Sequence, residues 1–164
     1  MSREGEIARK RGELVEALLQ EALKLPDMLF VMGKGPQAVM EAWVDSAMTR
    51  VGVKDDWIAV ESESWHCHLH LAEITHIRFV EEPEVHDPKR QAYSIRFLGV
   101  DESPLLMIFF GKMYDESGLI FQERAGRFRA LQKKKCFLTR RSCHRPPNLD
   151  MLPLGSILNR RSNL

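Results

Sequence analysis

No stretch of this 164-residue sequence is apolar for the roughly 18–20 residues that a membrane-spanning helix needs. Its first residues, Met1-Ser2-Arg3-Glu4-Gly5-Glu6, lack the apolar segment of a signal peptide, so the expectation is a cytoplasmic protein with no membrane partner. Cysteine is scarce. Cys67, Cys136 and Cys143 are odd in number and show no CxxC spacing, which argues against a disulfide framework. The motifs of familiar chemistry are missing as well: there is no Gly-x-Ser-x-Gly, no P-loop and no Gly-x-Gly-x-x-Gly, and Gly33-Lys34-Gly35-Pro36 is too short to cradle phosphates. No catalytic triad can be assembled, and the expectation is a protein that is not an enzyme.

What is present is the composition of a globular protein, 44% hydrophobic and 29% charged, with enough chain for one domain and a proper core. The net charge of +1 hides an asymmetry. Residues 1–132 hold 16 Lys/Arg against 22 Asp/Glu, whereas residues 133–164 hold 8 Lys/Arg and a single Asp. The expected organisation is therefore a domain over 1–132 and a basic C-terminal extension over 133–164. The extension has no nucleic-acid fold signature, so a specific nucleic-acid partner is not expected.

Periodicity then divides the domain. Ile7, Leu14, Leu18, Ala22 and Leu25 recur at helical spacing over residues 6–25, with Pro26 as the stop. Met28–Met32 is a short apolar run. Pro36 followed by Val39, Met40, Trp43, Val44 and Ala47 predicts a second helix, with Gly52 just past its end. From Trp57 the period falls to 2, which predicts strands at Trp57–Val60, Trp65–Leu71, Ile74–Glu81, Tyr93–Leu98 and Leu105–Phe110. The last is continuously apolar and reads as a central strand. Helical spacing returns over residues 119–134. The predicted fold class is α+β: an antiparallel β-meander with N-terminal helices and a C-terminal helix packed on it.

The most distinctive run is Trp65-His66-Cys67-His68-Leu69-His70-Leu71. On a strand, Trp65, Cys67, Leu69 and Leu71 enter the core, while His66, His68 and His70 share the opposite face. Three imidazoles in a row can bind a metal, ligate a haem iron, or simply form a polar sheet face. A zinc or iron site on this row needs a further ligand from a neighbouring strand, and His76 is the nearest candidate. Haem needs an axial group, an apolar wall and cations for its propionates. Ile77, Phe79, Leu106, Met107, Phe109 and Phe110 offer the wall, and Arg78 and Arg96 the cations.

Four blocks carry a resemblance to a family. They are His68-Leu69-His70-Leu71-Ala72-Glu73-Ile74-Thr75-His76-Ile77, Tyr93-Ser94-Ile95-Arg96-Phe97, Leu106-Met107-Ile108-Phe109-Phe110-Gly111-Lys112, and Arg127-Phe128-Arg129-Ala130-Leu131. In order and spacing they resemble the cytosolic haem-utilisation carriers of the ChuX/HutX type, relatives of the HemS/ChuS half-repeats. The resemblance implies a split antiparallel sheet with helices, commonly a homodimer, that binds haem and hands it on without catalysis. Carried over by position, His68 matches a histidine implicated in haem binding and is the candidate metal ligand. His76 matches another recurrent histidine, and His66 and His70 are neighbours that could substitute or tune. The alternatives are a metalloprotein using the His66/His68/His70 row on zinc or iron, and a dimeric structural module of the same fold with no cofactor.

Overall fold

An N-terminal helix, α1 (Arg3–Ala22), is amphipathic for the reason its spacing gives: Val15, Leu18, Leu19 and Ala22 are buried on one face, while Lys10–Glu6 and Arg9–Glu13 pair one turn apart on the other. The computed structural model describes residues 3–33, 40–45 and 47–138. Most of the predicted basic extension, residues 139–164, lies outside these, as do residues 36–39 and 46 of the predicted second helix.

Among the described residues eight strands follow: β1 (Met28–Met32), β2 (Met40–Val44), β3 (Arg50–Lys54), β4 (Trp57–Glu61), β5 (His66–His70), β6 (His76–Pro83), β7 (Gln91–Leu98) and β8 (Pro104–Phe110). A single 3-10 turn at Leu71–Glu73 joins β5 to β6, and α2 (Gln122–Leu138) completes the order. All strand pairs are antiparallel. They form two sheets, a five-stranded one in the order β2-β1-β8-β7-β6 and a three-stranded one in the order β3-β4-β5. The fold is α+β, as expected, and the sheet is split rather than a single meander.

One element overturns its expectation. Met40–Val44 is a strand, not part of a second N-terminal helix, so one helix precedes the sheets among the described residues. β2 pairs with β1 along its length, from Met28 opposite Val44 to Met32 opposite Met40. Met, Glu and Ala are good helix formers, but the backbone groups of β1 need a partner on that side, and tertiary pairing overrides propensity. β2 is an edge strand, and Trp43 on it remains 64% exposed. Of the predicted apolar stripe, Val44 is buried, while Met40, Trp43 and Ala47 are exposed.

The core lies between the helices and the inner faces of both sheets. Phe30, Ile95, Phe97, Leu106 and Ile108 are fully buried in the large sheet, and Ile58 and Val60 in the small one. β8 is central, between β1 and β7, as its apolar run predicts. Phe128 of α2 is buried with its ring edge-on to Phe79, Tyr93 and Phe110 at centroid distances of 5.4, 5.3 and 5.1 Å. Phe121, predicted on the same stripe, precedes α2 and stays exposed. α1 covers the small sheet, and Gly12 lets it lie close: a Cβ there would stand 3.1 Å from Leu71 Cδ1 and 3.7 Å from Val53 Cγ1.

Candidate functional site

The three-stranded sheet presents its outer face as a grid fixed by register. Asp55 and Asp56 both hold positive φ (48° and 63°), which makes a tight two-residue hairpin between β3 and β4 and sets Lys54 opposite Trp57. Gly52 then faces Ala59, and Arg50 faces Glu61. On the other side of β4, Trp57 faces His70, Ala59 faces His68, and Glu61 faces His66. Alternation sends Ile58, Val60, Cys67 and Leu69 inward, where all four are buried. Burial pushes the Cys67 thiol above its ordinary range, so it stays neutral and apolar rather than acting as a ligand.

The middle row of the grid is Gly52-Ala59-His68, two of the smallest side chains and one imidazole. It forms the floor of a cavity of about 520 Å³ whose lining includes Arg50, Lys54, Trp57 and Glu61. That volume falls within the ~300–1,000 Å³ of small-molecule sites. A Cβ on Gly52 would meet nothing within 4 Å, so the emptiness above the floor is a property of the residue types chosen there.

This setting makes the three histidines unequal. His70 is engaged on two sides, by the Trp57 ring at 4.8 Å and by Glu73, whose carboxylate stands 3.9 Å from its Nδ1. His66 touches His68 edge-on at 5.3 Å between ring centroids. His68 itself lines the cavity and makes no hydrogen bond or ion pair among the described residues. Successive histidines on one strand face are about 7 Å apart along the backbone, too far for all three to meet one ion. Among the described residues, no group of three or more His, Cys, Asp or Glu side chains is gathered to hold a metal.

The other expected site residues lie elsewhere. His76, Arg78 and Arg96 belong to the five-stranded sheet, on β6 and β7, and do not line the cavity that His68 lines. His76 is exposed with its Nδ1 3.0 Å from Thr75 Oγ1. Arg78 donates to Glu102 at 2.7 Å, and Arg96 is paired with Glu82 while its Nε donates to Ser94 Oγ at 3.3 Å. Both guanidiniums thus already have carboxylate partners.

A second cavity, of about 550 Å³, lies on the outer face of the five-stranded sheet. Leu29, Trp43, Met107 and Phe109 supply apolar lining, and His86, outside the expected site set, stands on its wall. Its cations are committed: Arg90 pairs with Asp87 and lies over the Tyr114 ring, and Lys112 pairs with Asp27. Tyr93, which lines the same cavity, is buried, and burial followed by the neighbouring Tyr114 holds its phenol above the ordinary range. Arg50, Gly52, Lys54 and Trp57 are the functional candidates that sequence reasoning missed. The signal for them is the alternation Arg50-Val-Gly-Val-Lys54 ahead of an Asp-Asp turn.

A protein-family model matches residues 16–138 of the chain. No curated protein sequence matches it significantly. Among solved structures, the haem-binding protein ChuX matches with a TM-score of 0.60 at 15% identity, covering 76% of this chain and 74% of that one. PhuS, a haem-binding protein from Pseudomonas aeruginosa, matches in its apo form at 0.55 and 13% identity, over 73% of this chain and 33% of PhuS. ChuS, described as an E. coli haem oxygenase, matches at 0.53 and 11%, over 74% of this chain and 35% of that one. The chain thus spans about a third of PhuS and ChuS. At these identities the likeness is one of fold. Among the described residues, no helix is long and apolar enough to cross a membrane.

Proposed function

Since the chain belongs to the ChuX/HutX-type family of haem-utilisation proteins, related to the HemS/ChuS half-repeats, we propose that it binds haem reversibly, without catalysis, for intracellular haem and iron utilisation or trafficking. The observation that carries this reading is His68: an imidazole free of hydrogen bonds and ion pairs among the described residues, over a floor of Gly52 and Ala59, beside Trp57 and two cations. A neutral imidazole is a good axial ligand, and the iron supplies the coordination bond. Trp57 offers an aromatic face against water, with His66 and His70 flanking. The cavity is open on one side, which suits a carrier that must also release. His76, Arg78 and Arg96 lie in the other sheet and do not line this cavity.

Haemin titrated into the purified protein tests the proposal. The expected result is a shifted Soret band that saturates near one equivalent, abolished in His68→Ala and kept in His86→Ala. The reverse pattern would move the site to the cavity of the five-stranded sheet, and no shift at micromolar haemin would end the haem reading. The proposed setting is the cytoplasm and the proposed state a homodimer. The outer face of the five-stranded sheet, with Trp43 exposed beside half-buried Leu29 and Phe109, supports the latter. Light scattering at micromolar concentration should give twice the chain mass, and Trp43→Glu should reduce it to one.

A further inference from the structure

We propose that the β3 edge of the trough is a carboxylate-reading rim, and that Arg50 and Lys54 make the site selective for a planar ligand carrying two acidic side arms. The inference rests on the haem reading of the same site and adds which residues recognise the cargo and by what chemistry.

Many cations of the molecule are closed on carboxylates. Lys10, Lys24, Arg78, Arg90, Arg96, Lys112, Arg124 and Arg127 each sit within ion-pair distance of a carboxylate. Among the described residues, Arg50 and Lys54 have no ion pair or side-chain hydrogen bond, although Glu61 stands directly across from Arg50 and Asp55 adjoins Lys54; Arg11, Lys89, Arg129 and Lys133 are likewise without an ion pair there, but line neither cavity. Both are exposed and both line the cavity. They are residues i and i+4 of one strand, so alternation puts them on the same face as Gly52, one on each side of it. With strands about 4.8 Å apart, this edge lies about 10 Å from β5, where His68 stands. A ligand held at His68 and extending over Ala59 and Gly52 reaches two free cations at its far end, one at either corner.

The chemistry is specific to acids. An arginine offers a planar fork of donors to a carboxylate, and a lysine a mobile point charge. Neither gains much from an ester, which keeps acceptor oxygens but loses the charge. Trp57, in the same row as Lys54 and opposite it, gives the flat part of the ligand an aromatic neighbour without competing for the acid groups.

The experiment compares haemin with haemin dimethyl ester, whose two propionates are capped, on the intact chain and on an Arg50→Gln/Lys54→Gln variant. Two exposed charge pairs together are worth about tenfold in affinity. The wild type should therefore bind haemin about tenfold more tightly than the ester, and raising the salt concentration should narrow that gap. The double variant should bind haemin about as weakly as the wild type binds the ester, with the Soret position unchanged because the iron ligand is intact. A double variant that still prefers the free acid to the same degree overturns the carboxylate rim and leaves the haem reading standing. Failure of the wild type to bind either porphyrin overturns both. Circular dichroism distinguishes lost recognition from lost fold, and Arg50→Lys should restore part of the preference.

Discussion

The outer faces of the two sheets carry similar residue types and treat them in opposite ways. On the five-stranded sheet the charges are closed on one another: Arg78 with Glu102, Arg96 with Glu82, Lys112 with Asp27, Arg90 with Asp87. On the three-stranded sheet, Arg50, Lys54 and His68 border a cavity and have no ion-pair partner among the described residues. A paired surface charge adds little stability and offers a ligand little. An unpaired one at the rim of a concavity keeps its field available. The difference teaches that the same sequence signal, an arginine on a strand near histidines, means structure in one sheet and recognition in the other, and only pairing distinguishes them.

Four substitutions break or sharpen that contrast, in falling order of expected effect on stability. Phe128→Ala removes the ring that Phe79, Tyr93 and Phe110 close upon, and should cost about 3–5 kcal/mol in urea unfolding. A loss below ~1 kcal/mol would mean that the large sheet does not depend on α2. Arg96→Gln should cost about 0.5–1 kcal/mol, because a half-buried pair and the bond to Ser94 are lost, while Arg50→Gln should leave stability within ~0.5 kcal/mol. Equal effects from the two arginines would erase the distinction between the faces. Gly52→Leu is the finest probe. Space is open at that position and glycine is a poor strand residue, so stability should hold or rise by about 0.5 kcal/mol. The side chain would nevertheless fill the trough and weaken haemin binding more than tenfold. Unchanged haemin affinity in that variant would show that the floor is not the site.

Much of the fold was legible because burial follows period. α1, the histidine strand and β6 to β8 all have one face in the core, and their alternation or helical stripe is a direct record of it. Residues 40–54 were misread for the converse reason. β2 and β3 are edge strands with largely exposed side chains, so there was little burial to leave a period, and the good helix formers Met40, Glu41 and Ala42 pointed the other way. Assigning Gly52 to the end of a helix hid the hairpin, and with it Arg50, Lys54 and the floor. Choosing Arg78 and Arg96 followed from their positions on predicted strands beside the apolar wall. That β5 and β6 part into different sheets is a matter of pairing partners, which periodicity does not encode. The resemblance to a family with a split sheet carried that information, and residue patterns alone did not.

The close seat of Gly12 against Leu71 and Val53 has a consequence for how the molecule breathes. The three-stranded sheet has two open edges, short strands and one helix over its inner face, and it reaches the other sheet's core through contacts such as Trp65 with Phe30. Such a piece can open as a unit well before global unfolding. The amides of Ile58 and Val60 should then exchange with solvent together, faster than those of Ile95 and Ile108 in the large sheet. The helix that shelters these strands thereby also sets how long the face they carry keeps its shape, and a bulkier residue at Gly12 would shorten that time from the opposite side of the sheet.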